Sequence, residues 1–290
     1  MTKMIRLLTK EDYYLFEAMD TGLENDYIKL FFSRLTTANN CLYGLFFEGN
    51  LACVGGFTVY ANRYAMLGRL RSDRRYRGRS FATEMMAFLR KKALEMSGIK
   101  WVGANTEEHN KPARRVLEKI GLTPHDAMYV ATSKDISELE TGVGTWQPIQ
   151  SITRKKEWLH KEYVKKTKLF PYECYYPFPA SEELFQEEIL YKWTFYENAE
   201  KTRFVITKHD QKETHYLHVV YPWSDFSSQE GLWETIAHAH RQLTAQTGEN
   251  TYIWMDLTKE EVQALPPNHP FEFPSLWTLY GEAKGRFSAS

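Results

Sequence analysis

The sequence predicts an α/β (α+β) fold of two tandem domains, each a mixed, mostly antiparallel sheet flanked by helices. Three observations predict it. The first half reads as strand, helices, three strands, an arginine-rich turn, helix, strand, helix, strand; the second half repeats much of that order; and KDISELETGVGTWQPIQS, with Gly142 and Gly144 close together, reads as a linker between them. The expected domains are therefore 1–134 and 151–290, joined by a linker at 135–150.

Taken in order, MIRLLTKED is a short strand running into a helix start, with Thr9 as N-cap ahead of Glu11 and Asp12, and helices fill 11–36. Residues 41–72 hold strand runs joined at Glu48-Gly49-Asn50 and at Ala61-Asn62-Arg63, which makes a three-strand antiparallel meander. After the turn, Phe81, Met85, Phe88, Leu89 and Leu94 recur at helical spacing until Gly98. IKWVGANT is the next strand, NKPARRVLEKIGL a helix capped by Asn110 and ended by Gly121, and AMYVAT the strand that closes the domain.

Composition narrows the function. Lys plus Arg total 37, as do Asp plus Glu, so the chain lacks the basic excess of a nucleic-acid binder. Cys41, Cys53 and Cys174 are odd in number and without metal-ligand spacing, which predicts reduced packing thiols and no metal. No 18 apolar residues run together and the first residues lack a signal pattern, so no membrane partner and a cytoplasmic location are expected.

The stretch RRYRGRS places Arg74, Arg75, Arg77 and Arg79 around Gly78, between a strand and a helix. A strand turning into a helix leaves several N–H groups unpaired, with the positive end of the helix dipole behind them, and so predicts an anion. Gly78 admits a phosphate close to the backbone, and ordered arginines add charge-assisted bonds of about 1.5–3 kcal/mol each. A pyrophosphate fits this turn better than a duplex backbone does. In isolation such a run is most often a solvated loop; the flanking elements select the anion site.

On these motifs, residues 1 to about 134 resemble the GNAT superfamily of acyl-CoA-dependent N-acetyltransferases. The family signature, Arg or Gln, two residues, Gly, one residue, Gly or Ala, falls on Arg75, Gly78 and Ser80, followed by Ala82, and its later pattern falls on Asn110, Ala113 and Gly121. The resemblance implies acetyl-CoA between strands 64–72 and 100–106, with its pyrophosphate on the N–H groups of 77–82. Leu70, Arg71 and Ser72 would line the pantetheine arm, Arg71 and Ser72 through backbone bonds. Arg75, Arg77, Gly78, Arg79, Ser80, Phe81 and Ala82 would form the phosphate turn, with Asn105, Asn110 and Ala113 completing the cofactor contacts.

Two positions depart from the family. Ser80 stands where a small Gly or Ala is usual, at a cost on the order of 1 kcal/mol if its φ is positive, though its hydroxyl can donate to a phosphate. Leu117 stands where many members carry the tyrosine that protonates departing CoA. A thiol with a pKa near about 8.5 leaves tolerably as thiolate, whereas an amine near about 10 must lose a proton, so a base matters more than an acid. Glu107 and Glu108, at the end of strand 100–106, are the carboxylates placed for that, with His109 as the alternative.

The function implied is an N-acetyltransferase that moves acetyl from acetyl-CoA to a primary amine of a small molecule or peptide by direct attack. A non-catalytic acyl-CoA-binding or regulatory protein is the rival reading, prompted by Leu117, and a transferase using another acyl donor is a third. Polyamine, aminoglycoside, amino acid and protein N-terminus all suit the acceptor, and monomer and homodimer both fit.

In the second half, LYKWTFYENAEKTRFVITKHDQKETHYLHVVYP offers three strand runs, followed by the helix GLWETIAHAHRQLTAQTG and the strand TYIWMDL. Leu70 to Val102 spans 32 residues and Val220 to Ile253 spans 33, and the closing pieces LTPHDAMYVATSK and FPSLWTLYGEAK agree in character, which points to an internal duplication. YPWSDFSSQEGLWE replaces the phosphate turn without arginine or the signature glycine spacing, so one acetyl-CoA per chain is expected. Trp158, Trp193, Trp223, Trp233, Trp254 and Trp277 read as core packing, some of them as pocket wall. His238 and His240 point apart on a helix, His215 and His218 on a strand, and no zinc motif is present.

Overall fold

The structure, a computed structural model describing residues 2–285, builds the first half from β1 (Lys3–Leu7), α1 (Tyr13–Glu17), α2 (Tyr27–Leu35), β2 (Asn40–Phe47), β3 (Asn50–Tyr60), β4 (Tyr64–Ser72), α3 (Phe81–Glu95), β5 (Trp101–Glu107) and α4 (Lys111–Lys119). Tight turns with positive φ at Glu48 and Gly49 and at Ala61 and Asn62 fold β2, β3 and β4 into the expected meander. The helical stretch expected over 11–36 is interrupted, because Asp26 starts a new helix: its carboxylate accepts the Ile28 N–H and caps α2.

The remaining elements are β6 (Thr123–Ser133), β7 (Gln147–Pro148), α5 (Ile152–Leu159), β8 (Leu169–Glu173), β9 (Tyr176–Pro179), α6 (Glu187–Leu190), β10 (Thr194–Glu197), β11 (Phe204–Gln211), β12 (His215–Val220), α7 (Leu232–Thr247), β13 (Thr251–Leu257), α8 (Lys259–Gln263) and β14 (Glu272–Ala283). Two compact units result: Met1–His125 with Thr278–Ser290, and Asp126–Trp277. Their limits differ from the expected 1–134 and 151–290, and residues 286–290 of the latter lie outside the described residues.

In the first unit β1, β2, β3 and β4 pair antiparallel, β5 joins β4 in parallel, and the strand beside β5 is the end of β14. Tyr280 of that strand is fully buried, and the Thr123 hydroxyl donates to the Gly281 carbonyl at 2.9 Å. AMYVAT therefore does not close this sheet. Helices α1 and α2 cover one face, where Phe16, Ile28 and Phe32 meet Leu42, Phe46 and Val54. Helices α3 and α4 cover the other, where Met85, Leu89 and Leu117 meet Phe57, Leu67 and Val102. Each such side chain contributes about 1.5–3 kcal/mol on burial.

The second unit repeats the pattern. β7, β10, β11 and β12 pair antiparallel, β13 joins β12 in parallel, and β6 pairs antiparallel with β13, Tyr129 opposite Leu257 and Ser133 opposite Ile253. Helix α7 packs Leu232, Ile236 and Leu243 on one face of this sheet. The expected linker 135–150 belongs to this core: Ile136, Leu139, Trp146 and Ile149 are buried, and 147–148 pairs with β10. Its glycines read as linker punctuation, but its apolar residues decide its place.

Candidate functional site

The parallel pairing of β4 with β5 runs only from Tyr64 opposite Trp101 to Leu67 opposite Ala104. Beyond it, residues 68–72 and 105–107 continue as strands without pairing to one another, so the two strands splay. A bulge between β3 and β4, with Arg69 at φ 59°, bends β4 at that point. The splay opens toward the turn that links β4 to α3.

That turn is held by Asp73, whose side chain is fully buried. Asp73 accepts the backbone N–H groups of Arg75 and Asp20 and is gripped by the Arg75 guanidinium, at 2.9 Å from Nε and 2.5 Å from Nη2. The Arg75 bond, with the backbone donors adding to it, holds the Asp73 carboxyl below its usual range. Arg75, expected on a phosphate, thus serves the turn instead; Arg74 reaches back to the Gly22 carbonyl at 3.3 Å. The sequence reading missed Asp73, although an Asp two residues before an Arg at a strand end is an Asx-turn signal.

Gly78 adopts φ 81°, and a Cβ there would meet nothing within 4 Å. Ser80, the N-cap of α3, is left-handed at φ 61°, ψ 15°, and its side chain makes no capping bond. The condition for strain at Ser80 is therefore met, and its hydroxyl is uncommitted to the helix. Among the described residues, the N–H groups of Gly78, Arg79, Ser80, Phe81, Ala82 and Thr83 have no protein partner, while that of Arg77 is bound to the Arg74 carbonyl. The unpaired run is displaced one residue from the expected 77–82. Arg77 is exposed, Arg79 lies 4.9 Å from the Phe47 ring, and Phe81 is buried against Phe47 and Tyr76.

Along β4, Leu70 packs partly into the core under α3. The Arg71 guanidinium binds buried Asp26 at 2.7 and 3.0 Å, and the Ser72 hydroxyl faces Cys53 Sγ at 3.5 Å. The side chains of Arg71 and Ser72 are thus engaged within the protein. Half-buried Asn105 sits on β5 where the strands part. Asn110 caps α4 by accepting the Ala113 N–H at 3.2 Å, so both residues are engaged in the helix start.

The end of β5 carries Glu107, half-buried, whose carboxylate lies 2.8 Å from exposed His109 Nε2; Glu108 is exposed. Leu117 is buried in the core. Fully buried Tyr280 beside it accepts from Arg114 Nε at 3.1 Å and faces Glu118 at 3.4 Å. No helix among the described residues is long and apolar enough to cross a membrane.

Solved structures share this fold along nearly the whole chain. A GCN5-related N-acetyltransferase from Sphaerobacter thermophilus is 12% identical with a TM-score of 0.57, covering 97% of this chain and 96% of its own. A provisionally named acetyltransferase from Pyrococcus horikoshii, 12% identical, has a TM-score of 0.55 over 97% and 89% of the two chains. Another from Thermoplasma acidophilum, 17% identical, has 0.52 over 94% and 89%. No curated protein matches the chain. The model of the acetyltransferase (GNAT) family matches residues 3–122, the span holding the splayed strands, the Asp73 turn and the open start of α3, and this part of the chain belongs to the GNAT family.

Proposed function

We propose that the first unit binds acetyl-CoA along the splay of β4 and β5 and transfers its acetyl group to a primary amine. The observation that supports this most is the run of six N–H groups, 78–83, without protein partners at the start of α3. With the helix dipole behind them they suit a pyrophosphate, and open space at Gly78 lets it approach. Arg77 and Arg79 add charge at the rim, while Arg75 keeps the turn in shape through Asp73. The free edge of 68–72 suits the amide groups of a pantetheine arm, as a strand would.

For the chemistry, Glu107 is the base: it ends β5 at the splay and is bridged to His109, so the proton it takes from the acceptor ammonium, freeing the amine to attack, passes toward solvent. With Leu117 apolar, CoA leaves as thiolate. The acceptor is a primary amine of a small molecule or peptide.

Gly78→Glu places a carboxylate where the pyrophosphate would lie, and is expected to weaken acetyl-CoA binding by about 100-fold or more in calorimetry, with unfolding free energy lowered by only about 1 kcal/mol for the positive φ. Unchanged affinity would refute the phosphate turn. Glu107→Gln is expected to lower CoA release with an active amine by about 10²–10⁴-fold while leaving acetyl-CoA affinity intact. A full rate in Glu107→Gln and a low one in Glu108→Gln would move the role to Glu108.

A further inference from the structure

Away from the splay, the face of the second unit's sheet opposite α7 carries a buried polar cluster. Antiparallel pairing sets Lys208 of β11 opposite His218 of β12, and parallel pairing sets His218 beside Trp254 of β13. With the two-residue period of a strand, Lys208, Asp210, His218, Trp254 and Asp256 share that face. The hairpin of β8 and β9 supplies Cys174 from its turn, and the Cys174 N–H donates to Asp210 Oδ2 at 2.7 Å. Donor atoms of Cys174, Asp210 and His218 lie within 4.8 Å of one another.

The orientation of His218 is informative. Its Nε2 lies 2.8 Å from Asp256 Oδ2, which also accepts the Trp254 indole N–H at 3.1 Å. Asp256 Oδ2 already accepts the Trp254 N–H, and with Nε2–H assigned as its second donor the imidazole presents a lone pair at Nδ1. That Nδ1 is buried and has no hydrogen-bond partner, in a residue with no exposure. An acceptor left unpaired in the interior costs about 1–3 kcal/mol. Carboxylate, imidazole and a free nitrogen beside a thiol form the outer support of a metal-ligating histidine.

Charge points the same way. The ammonium of Lys208 is held by the Pro171 and Tyr172 carbonyls, and Lys212 pairs with Glu173 and Asp210 at 3.1 and 3.2 Å. Lys212 faces two carboxylates, Glu173 and Asp210, which leaves one negative charge uncompensated, and burial moves Lys208 down and Asp256 up together, so that pair adds no net charge. A dication that displaces the Cys174 thiol proton to solvent makes the cluster neutral, with no oxidation or reduction. A nucleophilic Cys-His-Asp triad is the competing reading, but Cys174 and His218 are both at 0% exposure, and no substrate reaches such a thiol.

We propose that Cys174 Sγ, Asp210 and His218 Nδ1 form a buried structural site for a borderline-soft divalent cation of the zinc class, with Asp256 orienting His218. A thiolate, an imidazole and a carboxylate together favour zinc over magnesium or calcium. The ion would pin the β8–β9 hairpin to the sheet.

The test uses the full chain and zinc itself. Protein folded with zinc and then dialysed is expected to retain about one zinc per chain by elemental analysis, and cobalt in its place is expected to show thiolate-to-cobalt absorption. Cys174→Ser should abolish both, and Asp256→Asn, which keeps the ligands, should weaken zinc binding by about 10–100-fold. Should Cys174→Ser fail to fold, wild-type protein refolded with chelator is expected to melt lower than with zinc. Absence of retained zinc together with a zinc-independent Tm, or equal retention by folded Cys174→Ser, would overturn the site.

Discussion

Two helix starts, those of α3 and α7, occupy corresponding places in the two units and are built alike. Each follows the strand that pairs in parallel with the next, and each has a left-handed N-cap, Ser80 at φ 61° and Gly231 at φ 80°. What covers them differs. At α7, the Glu234 carboxylate accepts the N–H groups of Thr141 and Gly142, the Thr235 hydroxyl accepts the Trp146 N–H at 2.8 Å, and the Trp146 indole donates to the Glu230 carbonyl at 2.8 Å. Residues 141–146 thereby fill the space that α3 leaves open. The start of α7 is a packed joint where that of α3 is open, and the absence of arginines is only part of the difference.

The sharpest break of this comparison is Gly231→Ala set against Gly78→Ala. A Cβ at Gly231 would lie 2.5 Å from the Gly144 carbonyl oxygen and 3.0 Å from Trp146, whereas at Gly78 it meets nothing within 4 Å. Both substitutions meet the cost of a positive φ, about 1 kcal/mol; only the first adds a backbone clash, for about 2–4 kcal/mol in all. Denaturant unfolding measures the difference, and equal losses would show that 141–146 does not plug α7.

Acid comes next. Asp73 is held low chiefly by the Arg75 bond. At Glu234, burial pushes the carboxyl up, but bonds from Thr141, its own N–H and Gly142 outweigh it and leave the carboxyl low. A depressed carboxyl stabilises above its unfolded value, about 3.9 for Asp and 4.3 for Glu, and that stability is lost as pH falls through the folded value. Unfolding free energy should fall with acid below about pH 4.5, and Asp73→Asn and Glu234→Gln should each flatten the slope. A wild-type slope in both variants would separate these carboxylates from stability.

The smallest effect sharpens the comparison from the other side. Ser80→Gly gives α3 the N-cap residue that α7 has, and relief of left-handed strain should raise stability by about 0.5–1 kcal/mol. Acetyl-CoA affinity then reports on the hydroxyl: a drop assigns it a bond to the phosphate, and unchanged affinity leaves the backbone alone in that role.

Much of the first unit was legible because its signals are local. The Glu48-Gly49 turn, the face of Met85 and Leu89, and the Asn110 cap each follow from a few neighbouring residues, and the glycine turn into α3 followed from Gly78 ahead of a helical pattern. Partner choice was not legible. AMYVAT and LWTLYGEA alternate in the same way, and nothing in either says which sheet it joins; β6 pairs with β13, and the end of β14 lies beside β5. Nor did spacing reveal that Arg75 is taken by Asp73, or that Cys174, Asp210 and His218 meet, since these three come from separate elements. The tryptophans were legible as packing, with Trp158, Trp193, Trp233 and Trp254 buried.

The strand beside β5 also sets a clock. Tyr280 and Glu282, which grips Arg90, are made long after the rest of the first unit, whose earlier segment ends at His125. A ribosome adding about 5–20 residues per second needs on the order of 10–30 s to cover that distance. Through that interval the nascent first unit lacks its last strand, and the apolar edge of β5, with Trp101 and Val102, awaits a partner from the same chain. Synthesis from the amino end therefore delivers the second unit's strands before the first unit's sheet is finished, so the half that carries the GNAT motif is the last to be completed.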